Sequence, residues 1–335
     1  MNNELKTDAH LLQTTVIAST DLNRVHHADF LDNTLPDKCA KLIIADPPYF
    51  EVKGEFDFIW KSFNDYLIDV EKWAIECKRL LADNGTLFWY GHAKKIAYSQ
   101  IIFDKYFNLE NNIAIEFNRQ TKKGVELFRC FAPVSERLLM YSNEFVTNKA
   151  TIIHKERFEG LISKIRETAN LSDFIDCLLK LKIASSNESA KVLATYKYGS
   201  HATRFDLMSK EMYNYIGGFN YSYDDLKKEY EQTIRYFDNK FKLFDIMSFD
   251  QEAHITGKYD HDTCKPETLT RALILTCSRE NDLVIIPFAG SGTECAMSVK
   301  ENRNFVAYEI TEKHVNMSNK RVKKILDNPP LFAGL

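Results

Sequence analysis

Short apolar runs alternate with amphipathic helical patterns along much of the chain. The apolar runs predict strands at Lys41–Ala45, Thr86–Tyr90, Ile113–Phe117, Arg137–Tyr141, Leu283–Pro287 and Phe305–Glu309. Continuous apolar strands that alternate with helices are typical of a parallel sheet that is covered on both faces. The pattern therefore predicts an α/β fold built on a doubly wound, mostly parallel sheet.

The segments between these strands carry helical periodicity. Between the first two strands, apolar side chains recur at helical spacing at Tyr66, Val70, Trp73, Cys77 and Leu80. We expect this helix to end at Asp83-Asn84-Gly85, because a glycine after polar residues is a typical stop signal. Further helices are predicted at Ala93–Tyr106, Glu267–Cys277, Gly292–Lys300 and Glu312–Leu326.

The stretch from about Phe145 to His254 departs from this alternation. It is rich in Lys, Glu, Tyr and Asn, and its patterns are mostly helical, as at Asp173–Ile183 and Tyr223–Asp238. We therefore expect a largely helical insertion in a discontinuous core. The expected units are a core of residues 20–145 and 255–327, an insertion of residues 146–254, and terminal extensions of residues 1–19 and 328–335.

Length and charge refine this organisation. A chain of 335 residues suffices for two domains, or for one large domain with an insertion. The net charge is −3, but residues 119–210 contain 16 Lys or Arg against 10 Asp or Glu. A basic surface on an acidic body suits an enzyme that holds DNA on one side. The alternative is a solvated helical face that is basic by chance.

Two sequence features limit the class of protein. The chain has no apolar stretch of membrane-spanning length and no signal-peptide pattern, so a cytoplasmic location without membrane partners is expected. The seven cysteines are odd in number and widely spaced, and no two form a C-x-x-C pair. This spacing argues against a disulfide framework and against a structural zinc site.

Asp46-Pro47-Pro48-Tyr49 directly follows the first predicted strand. Asp46 can accept a hydrogen bond from an amino group, and the prolines hold the Pro47 carbonyl rigidly as a second acceptor. Accepting both N–H bonds would improve the poor nucleophilicity of an exocyclic amine on a base. Tyr49 offers a stacking surface for a base that has been flipped out of a nucleic-acid double helix. The alternative is an ordinary junction between a strand and a turn.

A glycine turn follows the strand at Leu283–Pro287. Phe288-Ala289-Gly290-Ser291-Gly292-Thr293 allows the backbone to approach a small ligand closely at the start of a helix. The next strand ends at Glu309, where an acid can bind ribose hydroxyls. Taken alone, the turn would also fit a nicotinamide cofactor, and Glu309 would also fit a capping or ion-pair role.

Candidate DNA contacts occur in the insertion. Lys197, Ser200, His201 and Arg204 lie between two helical patterns, where they could read base edges and phosphates. A packed helical corner with polar outer residues is the alternative.

Together these segments resemble the amino-methyltransferases of DNA, the N6-adenine and N4-cytosine enzymes of restriction-modification systems and phages. The likeness covers about residues 20–145 and 255–325. Asp46-Pro47-Pro48-Tyr49 is similar to the catalytic tetrad of this family, and the glycine turn is similar to its cofactor turn. The tetrad precedes the turn, as in the permuted β group. In that group the target-recognition segment lies between them, where the basic insertion falls.

Other segments extend the resemblance. The family segment that packs around the methionine end of the cofactor is similar to residues 261–266, which include Lys265, together with Leu269 and Arg271. Ala28-Asp29-Phe30 resembles the acidic contact to the adenine of the cofactor. Matches to the helix and strand after the tetrad are Trp73, Arg79, Leu80, Asn84-Gly85 and Thr86–Tyr90.

The resemblance implies a class I, Rossmann-like methyltransferase that uses S-adenosylmethionine and double-stranded DNA. It implies direct in-line attack by N6 of a flipped adenine, without a covalent intermediate or a metal, and catalytic roles for Asp46, Pro47, Pro48 and Tyr49. The cofactor-binding residues that it implies are Asp29, Asp46, Lys265, Phe288, Gly290, Ser291, Gly292, Thr293 and Glu309. It also favours a homodimer and leaves a cognate restriction endonuclease open as a further partner.

Three residue patterns bear on the reaction. No cysteine follows a proline, which argues against C5-cytosine chemistry. Asp46 favours adenine, because N4-cytosine enzymes more often carry Ser at that position. Ile286 replaces the Asp that usually precedes Pro-Phe in the cofactor turn. The alternatives are an N4-cytosine enzyme, a catalytically silent DNA-binding relative, or a nicotinamide enzyme with a coincidental tetrad.

Overall fold

The computed structural model describes residues 17–18, 20–51, 59–117, 135–143, 158–199, 205–249 and 264–328. They contain one eight-stranded sheet. The strands are β1 (Arg24–His27), β2 (Ala40–Ala45), β3 (Leu81–Gly91), β4 (Asn108–Phe117), β5 (Ser135–Ser142), β6 (Ile246–Phe249), β7 (Leu283–Ile286) and β8 (Asn304–Glu309). Their order is β1-β8-β7-β2-β3-β5-β4-β6, and β5 runs antiparallel to both of its neighbours. All other pairs are parallel, so the prediction of a doubly wound, mostly parallel sheet is confirmed.

The helices are α1 (Phe63–Leu80), α2 (Ile96–Phe103), α3 (Leu171–Lys180), α4 (Asn187–Tyr198), α5 (Lys210–Ile216), α6 (Tyr223–Thr233), α7 (Glu267–Cys277), α8 (Thr293–Lys300) and α9 (Glu312–Leu326). Of these, α1, α2, α7, α8 and α9 contribute buried residues to the hydrophobic clusters of the sheet. Residues 158–166 are also helical. The α1 helix begins after Ser62, whose hydroxyl accepts the backbone N–H of Asp65 as an N-cap. Its predicted apolar stripe from Tyr66 to Leu80 is buried.

The predicted end of α1 is wrong. The helix stops at Leu80, and Asp83-Asn84-Gly85 lies inside β3, which begins at Leu81. The pairing of β2 with β3 shifts here, since Ala40 faces Leu81 whereas Leu42 faces Thr86. The irregular pairing accommodates Asp83-Asn84-Gly85 within the strand, so these residues mark a β-bulge rather than the end of a helix.

The central strands separate two hydrophobic clusters. Leu42 and Ile44 of β2 point into one cluster, and Ile43 and Ala45 point into the other, as expected for a strand that is buried on both faces. At the carboxyl edge, β2 and β7 are direct neighbours. From this pair the chain proceeds to β3 on one side and to β8 on the other, so their carboxyl ends form the topological switch point of the sheet.

Helical residues of the segment 158–234 form a third hydrophobic cluster of their own, which contains Phe158, Phe174 and Tyr198. Asn84 connects this cluster to the sheet, because its amide donates to the carbonyls of Gln232 and Ile234 at 2.6 and 3.0 Å. Strand β6 falls within the predicted insertion but pairs with β4 at the edge of the sheet. The division into core and insertion stays a prediction.

Within the described residues, no helix combines the length and the apolar character that a membrane crossing requires.

Candidate active site

The site lies at the switch point, where the loops after β2 and β7 face one cavity. Asp46, Pro47, Pro48 and Tyr49 line this cavity together with residues 287–291. Two predicted motifs that are far apart in the chain therefore meet.

A buried ion network fixes the side chain of Asp46. The Lys265 ammonium lies 2.8 Å from Asp46 Oδ2 and 3.2 Å from Glu136 Oε2, and only 5% of the Lys265 side chain is exposed. The Tyr49 hydroxyl donates to Asp46 Oδ1 at 2.5 Å. Asp46 is thus held through both carboxylate oxygens, and each oxygen keeps a lone pair with which it can accept a further hydrogen bond.

The protonation states of this network follow from its charges. Burial opposes the charge of Lys265, but the carboxylates of Asp46 and Glu136 raise the pKa of Lys265 above its ordinary value. Burial and the neighbouring Asp46 raise the pKa of Tyr49 well above its ordinary value. Lys265 therefore stays charged near neutral pH. Tyr49 stays protonated, and its hydroxyl donates a hydrogen bond to Asp46.

The glycine turn places backbone against the cavity. Gly290 has a φ of +48° and Gly292 a φ of +72°, a region that strongly favours glycine. A Cβ on Gly292 would lie 2.7 Å from Ser318 Cβ, so this position also lacks space for a side chain. The Ser318 hydroxyl donates to the Gly290 carbonyl at 2.8 Å and ties α9 to the turn.

Glu309, at the end of β8, reaches the same turn. Its Oε2 accepts the backbone N–H of Gly290 at 2.9 Å, and its Oε1 accepts that of Thr311 at 2.8 Å. The carboxylate is therefore oriented by two backbone donors and retains acceptor capacity towards the cavity. Asp29 also lines the cavity, and its Oδ1 caps the 3-10 turn Phe30–Asp32 by accepting the Leu31 N–H at 2.9 Å.

Aromatic side chains complete the apolar part of the cavity. The Phe288 ring contacts Trp73 edge-on with a centroid distance of 5.0 Å, and Phe30 lies 6.3 Å from Phe288. All three residues line the cavity. An apolar, aromatic wall beside oriented carboxylates suits a ligand with a flat ring and a polar sugar.

The predicted cofactor residues divide into two groups. The cavity is lined by Asp29, Asp46, Lys265, Phe288, Gly290, Ser291 and Glu309. Gly292 and Thr293 lie behind the turn: Gly292 packs against Ser318, and the Thr293 hydroxyl accepts from Arg321 at 3.1 Å. These two residues support the shape of the turn. Residues 261–263 of the matching segment lie outside the described residues.

Sequence reasoning missed two acids of the site, Glu136 and Glu294, which both line the cavity. Glu136 is the second residue of β5, one position before the predicted strand. Glu294 follows the glycine turn as the second residue of α8. The signal for Glu294 was its position beside the predicted turn, whereas Glu136 reaches the site only through strand pairing.

Of the predicted DNA contacts, Lys197 lies in the last turn of α4, where its ammonium pairs with Asp206 at 3.0 Å. Its side chain is about one third exposed. Ser200, His201 and Arg204 lie outside the described residues.

S-adenosylmethionine fits this donor and acceptor set. The cofactor consists of a flat adenine, a ribose with two hydroxyls and a cationic methionine end. Aromatic rings around Phe288 suit the adenine, the carboxylate of Glu309 suits the ribose, and the acids around Asp46 suit the cation. The turn at Gly290 and Gly292 gives the close backbone approach that such a ligand requires.

Comparisons with known proteins agree with this chemistry. A family model for DNA methylases of the N6/N4 type matches residues 40–320. The type II methyltransferase M.HinfI of Haemophilus influenzae is 24% identical over 325 residues, which cover 92% of this chain and 70% of that protein. DNA adenine methyltransferase YhdJ of Escherichia coli (strain K12) is 22% identical over 296 residues, which cover 86% of this chain and 78% of that protein.

A solved structure agrees in fold. TTHA0409 from Thermus thermophilus, in its complex with S-adenosyl-L-methionine, has a TM-score of 0.50 and 16% identity. The match covers 92% of this chain and 96% of that chain. The family model spans most of the chain, and the resemblance seen in the sequence is thereby confirmed. This chain belongs to the N6-adenine and N4-cytosine DNA methylases, a family of S-adenosylmethionine-dependent DNA methyltransferases.

Proposed function

We propose that this chain is a site-specific methyltransferase that acts on N6 of adenine in double-stranded DNA. One observation carries the proposal: Asp46-Pro47-Pro48-Tyr49 and the glycine turn line the same cavity at the switch point of the sheet. A base-binding edge and a cofactor-binding turn are thus within reach of one another, as methyl transfer between two bound ligands requires.

Asp46 and the Pro47 carbonyl orient the target amine. Each accepts one N–H bond of the exocyclic amino group, which turns the nitrogen lone pair away from the ring and towards the methyl donor. Lys265 and Tyr49 hold the Asp46 carboxylate in place through bonds of 2.8 and 2.5 Å. Pro47 and Pro48 lack N–H groups and have a restricted φ, so they keep the acceptor edge rigid.

Tyr49 also binds the base by stacking. Its hydroxyl is tied to Asp46, which limits rotation of the ring, and stacking of a base on an aromatic ring contributes roughly 1–3 kcal/mol. This gain offsets part of the unstacking energy that an extruded adenine requires.

The cofactor is held by other residues that line the same cavity. Glu309 accepts from the ribose hydroxyls, Asp29 and Phe288 bind the adenine end, and the turn at Gly290 and Ser291 approaches the ligand through its backbone. When bound, S-adenosylmethionine supplies an electrophilic methyl group on a sulfonium. The amine that accepts it then loses a proton to water.

Two findings support adenine over cytosine. Asp occupies the first tetrad position, where N4-cytosine enzymes more often carry Ser. YhdJ, whose name specifies adenine, aligns over 86% of this chain. Residues Lys197, Ser200, His201 and Arg204 are proposed to contact the DNA, with the helical segment as the recognition surface. Homodimerisation and a cognate endonuclease remain parts of the proposal that rest on the family resemblance.

The test is mass spectrometry of nucleosides from unmethylated DNA after incubation with the protein and S-adenosylmethionine. We expect N6-methyladenine from the wild type. Asp46→Ala should lower turnover by at least 100-fold while S-adenosylhomocysteine still binds, because Asp46 orients the amine through a contact that is most valuable in the transition state. The control is Asp327→Ala, an exposed aspartate at the end of α9 and outside the helical segment, which should leave turnover unchanged.

Other outcomes separate the alternatives. N4-methylcytosine would retain the site and the mechanism but overturn the choice of base. Cofactor binding without a modified base on several DNAs would indicate a silent relative. Wild-type turnover by Asp46→Ala would refute the assignment of the amine-binding edge.

A further inference from the structure

Glu294 is a buried acid that none of the steps above uses. It lines the cavity from α8, and 5% of the residue is exposed. Its Oε1 has no hydrogen-bond partner among the described residues. A buried carboxylate oxygen without a donor is costly, so a donor is expected to reach it in the functional state.

The two cations that act electrostatically on Glu294, Lys265 and Arg321, are paired with other acids. The ammonium of Lys265 pairs with Asp46 and Glu136 at 2.8 and 3.2 Å. The Arg321 guanidinium donates to Glu267 at 2.7 Å. Both cations act on Glu294 only through space, and neither supplies the missing hydrogen bond to Oε1.

The cavity as a whole attracts cations. Among the described residues that line it, the acids are Asp29, Asp46, Asp69, Glu136, Glu294 and Glu309, and Lys265 is the only Lys or Arg. The excess of carboxylates requires a positive ligand group for balance. S-adenosylmethionine carries two positive groups, the sulfonium and the α-ammonium.

We propose that Glu294 binds the α-ammonium group of the cofactor's methionine end, an inference that rests on the proposed function. The choice between the two positive groups follows from hydrogen bonding. An ammonium has N–H bonds to donate to Oε1, whereas a sulfonium has none. Glu294 therefore recognises the amino-acid end, and it does so equally in S-adenosylmethionine and in S-adenosylhomocysteine.

This contact makes cofactor binding depend on pH. Burial and the neighbouring Asp46 raise the pKa of Glu294 to about 7. The backbone N–H of Glu294, Lys265 and Arg321 lower this pKa, but by less than burial and Asp46 raise it. Below that pH the acid is neutral, and binding of the ammonium must release its proton. With this pKa, affinity should rise roughly tenfold between pH 6 and pH 8.

Other titratable groups face Glu294 or share its cavity. Tyr90 and Cys295 both stay neutral in this pH range, since burial and Glu294 raise the pKa of each well above its ordinary value. His314 also lines the cavity, with its Nδ1 3.8 Å from the Glu309 carboxylate. A His314→Gln variant therefore serves as a control that must retain the pH dependence.

The experiment is calorimetric titration of the wild type with two ligands between pH 6 and pH 8.5. S-adenosylhomocysteine carries the α-ammonium, whereas 5′-methylthioadenosine shares its adenosine and thioether but lacks the amino-acid end. We expect the affinity for S-adenosylhomocysteine to rise about tenfold with pH, and that for methylthioadenosine to stay constant. This comparison needs no variant, so it does not depend on whether a variant folds.

Glu294→Gln then tests the residue itself. It keeps the size of the side chain and removes its charge. We expect it to weaken S-adenosylhomocysteine binding about tenfold at pH 8 and to abolish the pH dependence, with methylthioadenosine binding unchanged.

The outcomes distinguish a failure of the proposed role of Glu294 from a failure of the proposed function. Affinity for S-adenosylhomocysteine that is independent of pH in the wild type, or unchanged in Glu294→Gln, would overturn the role of Glu294 while the proposed function stands. Loss of the pH dependence in His314→Gln would also overturn it. If neither ligand binds the wild type at any pH, the proposed function itself fails.

Discussion

Lys265 is expected to stabilise the fold through its buried charge. Its ammonium lies 2.8 Å from Asp46 and 3.2 Å from Glu136, and replacement by Met would leave these two carboxylates without their cation. Removing one partner of a buried ion pair costs roughly 3–5 kcal/mol. Because the side chains of Asp46 and Glu136 retain 23% and 16% exposure, we expect the lower end of that range, about 3 kcal/mol, for Lys265→Met at pH 8.

The effect should depend on pH in a defined direction. The acids raise the pKa of Lys265 above its ordinary value of 10.5, so its stabilisation is fully present below that pH and is lost only as the pH rises through the folded-state pKa. The wild type therefore keeps this stabilisation from pH 5 to pH 8. In Lys265→Met, one of the two facing carboxyls takes up a proton on acidification, so the difference between the proteins should shrink towards pH 5.

Urea unfolding followed by tryptophan fluorescence measures this difference at both pH values. The matched control is Lys105→Met, which removes an ion pair of 2.9 Å with Glu71 whose two side chains are 53% and 40% exposed. An exposed pair contributes little to the free energy of unfolding, because solvent screens its charges. If Lys265→Met cost no more than Lys105→Met at pH 8, or cost the same at pH 5, the account of a buried charge network would be refuted.

Three further substitutions test the turn, the bulge and the stacking residue. Gly292→Ala places a Cβ at a residue with a φ of +72° and against Ser318, so the affinity of this variant for S-adenosylhomocysteine should fall in a calorimetric titration. The control is Gly160→Ala, at a helical glycine with open space around it, which should not affect binding in the same titration. Asn84→Ala removes the bonds to Gln232 and Ile234 and should lower the free energy of unfolding by about 1–3 kcal/mol; an unchanged urea midpoint would contradict this. Tyr49→Phe should retain binding to DNA with an extruded base but lose turnover, because the ring stays and only the hydroxyl, which contacts Asp46 and Lys265, is removed; equal loss of binding and turnover would argue against separate roles.

The sequence allowed prediction of the strands that carry the site because those strands are buried on both faces. Such strands are continuous apolar runs, as in Leu42–Ala45 and Leu283–Ile286. The edge strands β1 and β6 were not predicted. Each has four residues, and β1 reads Arg-Val-His-His, with Val25 as its single fully buried residue. Pairing with a neighbour, rather than its own composition, makes such a segment a strand.

At the end of α1, by contrast, the local sequence predicted a turn where the chain forms a strand. Asp83-Asn84-Gly85 is a good stop signal locally, yet the chain remains extended there. Lys41 donates to Asn84, and Asn84 in turn donates to the carbonyls of Gln232 and Ile234. These partners are distant in sequence, so local turn chemistry could not anticipate them.

Site residues were predictable where a residue with suitable chemistry ends a strand or directly follows it, as with Asp46 after β2 and Glu309 at the end of β8. Glu136 was not predictable in this way, because its strand runs antiparallel and its first residues, rather than its last, reach the carboxyl edge of the sheet. A rule that searches only after strand ends therefore misses acids that an antiparallel strand contributes.

The order of the two motifs in the chain is immaterial to the site because the sheet sets their distance. Leu42 pairs with Val284 and Ile43 with Ile285, so the residues that follow each strand emerge side by side. This pairing also fixes which face each side chain meets, since a slip of one residue would exchange the two faces of a strand. Ile43 and Ile285 belong to one buried cluster, and Leu42 and Val284 to the other, so a slip would break both at once. Core packing thereby sets the register that brings Asp46 beside the glycine turn.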